Sequence, residues 1–302
     1  MIFFVDVLRR GSYTEMEVIE MQIGVVGLGL MGGSFCRALK AYTDHTVLGK
    51  TRNPATVAFA ESVNAIDGPV DRLDALDLCL TALPPEETVR FLTENVNRFR
   101  KKTVVIDICG VKQMITDRVD RLYYDAGVHF LGCHPMAGRE NAGFANSDAN
   151  LYRGASFIMT PTELTHPSAP PLVAELMREI GFARIVEAAP AEHDRIIAYT
   201  SQLAHVVSSA YMKSPTGSEV SGFSAGSFQD MTRVAKLDPE LWTTLFLYNR
   251  QPLLREIDTL IDNLTRFREL LTNSDKKGMI DSLDEGRRLR EEVLRRQLGD
   301  RT

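Results

Sequence analysis

Three places in the sequence bring together side chains that could do chemistry. Gly27, Gly29 and Gly32 form the run Gly27-Leu28-Gly29-Leu30-Met31-Gly32, directly after the apolar stretch QIGVVG. Glycines at this spacing make a tight turn and leave the backbone bare enough for a pyrophosphate to rest on a helix N-terminus, so a dinucleotide site is expected, with Leu30 and Met31 opening the helix. His134 heads the run His134-Pro135-Met136-Ala137-Gly138-Arg139-Glu140 behind the apolar VHFLGC. A histidine at the carboxyl end of a strand faces the ligand crevice of such folds, and imidazole can move a proton near neutral pH. The third place is His205 and Arg233. His205 sits in an apolar helical pattern, where a lone histidine is usually a core residue. Asp194, Ala198, Ser201, His205 and Ser208, however, follow at steps of three or four and form a polar stripe. Arg233 ends Phe228-Gln229-Asp230-Met231-Thr232-Arg233 and reads equally as a surface arginine or a carboxylate anchor.

The second apolar run ends in Lys50, Thr51 and Arg52. A cofactor held by its ribose hydroxyls calls for a carboxylate about 20 residues beyond the glycines. A hydroxyl between two cations suits a ribose 2′-phosphate instead. NADP is therefore the expected cofactor, with NAD as a second acceptor.

Elements to position these groups are legible around them. Apolar runs at 22–27, 46–49, 77–83, 103–108, 129–133, 155–160 and 183–187 read as strands, and 31–42, 54–62, 86–99, 112–125 and 171–180 read as helices. This alternation predicts a parallel sheet with crossover helices, a Rossmann-like α/β domain over residues 21–189. Beyond Pro190 no strand pattern appears, and helices are expected at 191–212, 229–236, 239–249, 252–271 and 279–297, making residues 190–302 an all-α domain. Residues 1–20 read as an N-terminal extension, or as sequence ahead of a true start at Met21.

Composition narrows the partners. Among 302 residues, 35 basic and 40 acidic side chains leave a net charge of −5, so there is no global cationic field for nucleic acid or anionic lipid. No apolar run approaches the roughly 20 residues of a membrane span. Cys36, Cys79, Cys109 and Cys133 are too far apart for a metal cluster and read as reduced thiols of a cytoplasmic protein, with no metal expected. Gly222-Phe223-Ser224-Ala225-Gly226 matches a hydrolase nucleophile elbow, but no strand leads into it and all six histidines precede Ser224.

In order, the motifs VGLGLMGGS, HPMAGRE, AEHDRIIAYTSQLAHVVSSAY and SGFSAGSFQDMTRVAKLDPELW resemble the prephenate/arogenate dehydrogenases of tyrosine biosynthesis, over roughly residues 22–272. The resemblance implies an oxidoreductase that decarboxylates prephenate to 4-hydroxyphenylpyruvate with NAD(P)+ as hydride acceptor. The alternative is arogenate, giving tyrosine directly. It implies that His134 draws the proton of the ring C4 hydroxyl, that His205 lines the substrate pocket and that Arg233 pairs with a substrate carboxylate. Arg139 and Gln229, where relatives often carry Thr and Lys, are then candidate substrate contacts, with Lys112 as a further cation. Leu83 and Pro84 match a cofactor-contacting loop, and the helical domain is expected to form a homodimer. Where many relatives carry a serine before the Val/Thr-Lys pair, this chain has Gly110, so that contact is absent, made by water, or made by Cys109. A β-hydroxyacid dehydrogenase would need a catalytic lysine in a glycine-rich helix, a setting that Lys213 and Lys236 lack. A non-catalytic NADP-binding regulator would have no use for both histidines and Arg233.

Overall fold

The computed structural model describes residues 20–139 and 141–299. The extension expected at 1–20 lies outside them except for Glu20. Strands β1 (Gln22–Val26), β2 (Thr46–Lys50), β3 (Gly68–Pro69), β4 (Leu78–Thr81), β5 (Val104–Asp107), β6 (His129–Pro135), β7 (Ser156–Thr160) and β8 (Arg184–Glu187) form one sheet in the order β3-β2-β1-β4-β5-β6-β7-β8. Every neighbouring pair is parallel except β6 and β7. The fully parallel expectation fails there because the 136–155 connection holds, among its described residues, only the short 3-10 turn Phe144–Asn146. With no crossover helix to carry the chain back, the strand returns antiparallel.

Side chains alternate along the strands and separate two cores. Ile23, Val25, Leu78, Leu80, Val104, Ile106, Leu131 and Cys133 join Phe35 and Leu39 of α1 (Leu30–Tyr42) and Val173, Leu176 and Met177 of α5 (Ala169–Glu179). Val26, Cys79, Val105 and Phe130 point the other way, onto α3 (Pro85–Asn95) and α4 (Gln113–Ala126). A strand covered on both faces must be apolar throughout, which is why these segments read as runs rather than alternations. α2 (Pro54–Ser62) starts where the Asn53 side chain accepts a hydrogen bond from Ala55 N–H and Pro54 fills the first turn.

Register brings the strand ends into one row: Val26 is opposite Lys50 and Thr81, Thr81 is opposite Asp107, and Asp107 is opposite Gly132. The chain leaves β1 toward β2 on one side and meets β4 on the other, so the strand order reverses at β1 and β4, where such sheets open a crevice.

No strand follows Glu187 among the described residues. The helix expected at 191–212 is three pieces: α6 (Pro190–Ile197), a π-helical turn (Ala198–Gln202) and α7 (Leu203–Tyr211). Asn249 holds that turn, its Nδ2 donating to the Asp194 carbonyl (2.7 Å) and to Gln202 Oε1 (2.8 Å). α8 (Gly226–Thr232) passes into a 3-10 turn at Arg233–Ala235, and α9 (Pro239–Tyr248) is capped by Asp238. By packing, the described residues form two compact units divided after Arg250, so α6–α9 belong with the sheet. The second unit holds most of α10 (Arg250–Thr272) and all of α11 (Lys276–Gly299), joined at 273–275. Along it Ile261, Leu264, Leu271, Ile280, Leu283 and Leu289 are all more than half exposed. No helix of the described residues is long and apolar enough to cross a membrane.

Candidate active site

At the crevice, two glycines of the turn are fixed by different neighbours. Gly27 has φ +104°, and a Cβ there would lie 2.2 Å from the Ala82 carbonyl oxygen. A Cβ on Gly32 would lie 1.9 Å from the Gly27 carbonyl oxygen, which is how α1 comes to pack against the turn. Gly29 is different: nothing lies within 4 Å of its Cβ position. It is the N-cap of α1 and supplies no side-chain cap, so the first N–H groups of the helix are left to a ligand. A cavity of about 610 Å³ opens there, lined by Gly27, Leu28 and Gly29, by Lys50, Thr51 and Arg52, by Leu83 and Pro84, and by Glu87 and Arg90 of α3. The bare backbone, the uncapped helix and the flanking cations fit a dinucleotide. Leu30 and Met31 open α1 but lie outside that lining; Leu30 is buried, and the Met31 carbonyl accepts from Tyr152 Oη (2.7 Å). Arg52 is mostly exposed and pairs with Glu87 at 3.2 Å.

His134 stands two residues past Gly132 in the row of strand ends. Its Nδ1 meets His193 Nε2 at 2.9 Å, and His193 Nδ1 meets Asp194 Oδ1 at 2.7 Å. Asp194 also accepts from the backbone N–H groups of Lys112 (2.8 Å) and Gln113 (3.0 Å), capping α4 from another element. These contacts fix the tautomers. A carboxylate only accepts, so His193 carries its proton on Nδ1 and turns a lone pair toward His134. His134 then carries its own proton on Nδ1, and its Nε2 is left as a lone pair. Burial, with His193 and Lys112 adding to it, holds His134 well below its ordinary value of 6.5, and burial also lowers His193 against the pull of Asp194. The result is a neutral base with an oriented lone pair.

That lone pair has no hydrogen-bond partner among the described residues, and the neighbouring residue 110 is glycine. A Cβ on Gly110 would lie 3.9 Å from His134 Nε2 and 3.5 Å from Leu245 Cδ2, ordinary contacts. Cys109 does not replace a side chain there. Its Sγ is buried against Thr88 Oγ1 (3.3 Å) and the Leu83 carbonyl (3.4 Å), and burial pushes the thiol up to about 12.

The other sequence candidates separate into two groups. His205 lies with Arg233: its ring packs tilted against Trp242, centroids 3.6 Å apart, its Nδ1 donates to the Val234 carbonyl (2.9 Å), and burial and the Arg233 charge both lower it. Trp242 and Leu245 are one turn apart on α9, so that helix borders both His205 and the Gly110 gap. Arg139 is committed to Asp148 at 2.7 Å, and Gln229 is exposed on α8. Lys112 is not a cation for substrate: its side chain is wholly buried on Asp107. The polar stripe also fails as one surface, since Asp194 faces α4 while His205 faces Trp242. The contact of His193 with His134 was not expected from the sequence, where Asp194 was noted only in the polar stripe, although the signal was present as an adjacent His-Asp behind Pro190. Ser224 is exposed in a loop ahead of α8, without a strand before it.

Comparisons with known proteins agree with this geometry. Residues 35–187 match the family model of the prephenate dehydrogenase nucleotide-binding domain, and residues 189–285 that of the prephenate dehydrogenase dimerization domain. A cyclohexadienyl dehydrogenase of Zymomonas mobilis is 30% identical, with 89% of this chain and 94% of that protein covered. A prephenate dehydrogenase of Bacillus subtilis is 27% identical over 94% of this chain and 79% of its own length. Among solved structures, prephenate dehydrogenase from A. aeolicus, in complex with hydroxyphenyl propionate and NAD+, superposes with a TM-score of 0.82 at 26% identity, covering 92% of this chain and all of that one. With both halves matched in order, the chain belongs to the prephenate dehydrogenase family and is a nicotinamide-dinucleotide-dependent oxidoreductase of tyrosine biosynthesis.

Proposed function

We propose that this chain oxidises prephenate to 4-hydroxyphenylpyruvate with loss of CO2, and that His134 is the base at the C4 hydroxyl. The observation that carries the reading is the chain of contacts from Asp194 through His193 to His134 at the carboxyl edge of the sheet, which leaves His134 Nε2 without a hydrogen-bond partner among the described residues. Arogenate, with an amino group where prephenate has a keto group, is the alternative substrate, in keeping with the cyclohexadienyl dehydrogenase relative.

The cofactor, held at Gly27, Gly29 and the start of α1, supplies the hydride acceptor. His134 Nε2 takes the hydroxyl proton as the C4–H electron pair departs as hydride. The C1 carboxylate is then released as CO2, and its electron pair closes the aromatic ring. The proton returns from His134 to the phenolate oxygen. Aromatisation provides the driving force, so the protein needs to orient the ring and hold one proton, a contribution of about 10²–10⁴ in rate. Arg233, beside His205, is the proposed partner of a substrate carboxylate, with Arg139 and Gln229 as further candidate contacts.

NADP is the proposed preferred cofactor, with NAD as the second acceptor. Lys50, Thr51 and Arg52 line the cavity, and a 2′-phosphate would draw Arg52 from Glu87. Residues 21–189 are proposed as the cofactor domain and 190–302 as a helical domain that forms a cytoplasmic homodimer, supported by the dimerization-domain match and the exposed apolar positions of the second unit.

Steady-state kinetics with prephenate and arogenate, each with NAD+ and NADP+, test the reading. His134→Asn should bind substrate nearly as well and lose about 10²–10⁴ in kcat; a fully active variant removes His134 from the mechanism. Arg52→Asp should lower the NADP-over-NAD ratio of kcat/KM by about 10- to 100-fold, the worth of one charge-assisted contact. An unchanged ratio overturns the assignment.

A further inference from the structure

Lys112 is a buried cation that neither the glycine turn nor the proton transfer uses directly. Its side chain is completely out of water and paired with Asp107, which is equally buried at the end of β5. Taking two such charges out of water costs several kcal/mol per ion before their attraction is counted, roughly offsetting the gain, so stability alone is a poor reason for the pair. Its bonds point to another role. Nζ donates to the Cys133 carbonyl (2.7 Å), the peptide group that carries His134. The backbone N–H donates to Asp194 (2.8 Å), the residue that holds His193. Asp107 is itself anchored by the Cys109 N–H (3.0 Å). One residue thus grips both halves of the histidine pair, one half with its side chain and the other with its main chain.

We propose that Asp107 and Lys112 form a positioning pair for the base, fixing His134 against His193 through the Cys133 carbonyl on one side and the Asp194 carboxylate on the other. The groups facing the histidines are Lys112 from the turn before α4, Asp107 from β5 and Asp194 from α6; the Lys112 charge lowers both histidines, whereas Asp107 and Asp194 raise His193. The inference rests on His134 being the base.

The single change Lys112→Met would strand the Asp107 charge and threaten folding, so the test uses two neutral double variants. Asp107→Asn/Lys112→Gln keeps a donor for the Cys133 carbonyl, and Asp107→Asn/Lys112→Met keeps none. Both should fold and bind NADP+ normally, because the glycine turn is untouched, with folding followed by circular dichroism. In both, the acid limb of the kcat/KM profile should rise, because the Lys112 charge that lowers both histidines is gone, but by less than the roughly one pH unit of a lone charge, since the Asp107 charge leaves with it. The Met version should also lose about tenfold in kcat at unchanged KM, with the Gln version partly restored, as expected when a bond that holds the base is lost. A folded double variant of either kind whose pH profile and kcat overlay the wild type overturns the proposal. Should His134→Asn retain full activity, the assignment of the base fails instead, and the two failures are told apart by that variant.

Discussion

Replacing Asp194 by asparagine probes the proton relay while leaving His134 in place. The carboxylate lies about 8 Å from His134 Nδ1 along the chain of contacts, and at an effective dielectric constant near 20 its attraction for a positive charge there is about 2 kcal/mol, or roughly 30-fold in rate. The amide brings a second loss. Its single oxygen cannot serve Lys112 N–H, Gln113 N–H and His193 Nδ1 together. In one orientation its NH2 opposes Gln113. In the other it faces Lys112 and His193, which moves the His193 proton to Nε2 and puts the His134 proton on Nε2, the atom the substrate needs empty. Either way one charge-assisted bond is lost, costing about 1.5–3 kcal/mol of stability. The expected result is a kcat reduced by about 30-fold or more, with an acid limb shifted downward because an anion that favoured protonation is gone. Reduced-nicotinamide absorbance at saturating substrate and cofactor gives kcat across pH, and urea unfolding gives the stability. A folded variant with kcat within about threefold of wild type refutes the relay, since the Coulomb contribution alone exceeds that.

Other outcomes follow from burial. His134 and His193 titrate below 6.5 when folded, so as pH falls through 6.5 the unfolded chain binds more protons; urea midpoints should decline from there until the folded-state values are passed, and a flat midpoint would contradict a neutral buried pair. All four cysteines are buried, and the Cys79 and Cys109 thiols are pushed up to about 12, so a thiol reagent should find none in the native protein and four after denaturation. Gly32→Ala should abolish cofactor binding and cost more than about 2 kcal/mol, because its Cβ meets the backbone of Gly27, whereas Gly29→Ala should fold normally and weaken cofactor binding alone. Equal stability losses in the two would contradict the open position of Gly29.

The cofactor half was readable in the sequence because its physics is local. Strands covered on both faces write themselves as apolar runs, and the glycine turn announces itself through steric demands that no other residue meets. The proposed base could be found as a histidine at a strand end. What held it could not, because the Asp194 carboxylate meets α4 across some eighty positions of sequence. Lys112 misled for the same reason: expected as a further cation for substrate, it is instead buried on Asp107. The antiparallel β7 also escaped, since nothing in an apolar run records the direction of its neighbour.

The π-helical turn at Ala198–Gln202 has a consequence for how this segment can change. One extra residue in a helix advances its phase by about 100°. Residues ahead of the turn address α4 and the proton relay, and those behind it address Trp242 and Arg233. Each stretch answers to its own neighbours, so the part facing Trp242 can drift in sequence without moving the His134–His193 contact. Deleting one residue between 198 and 202 would join the two into a single rigid screw, and every later substitution on one face would then turn the other.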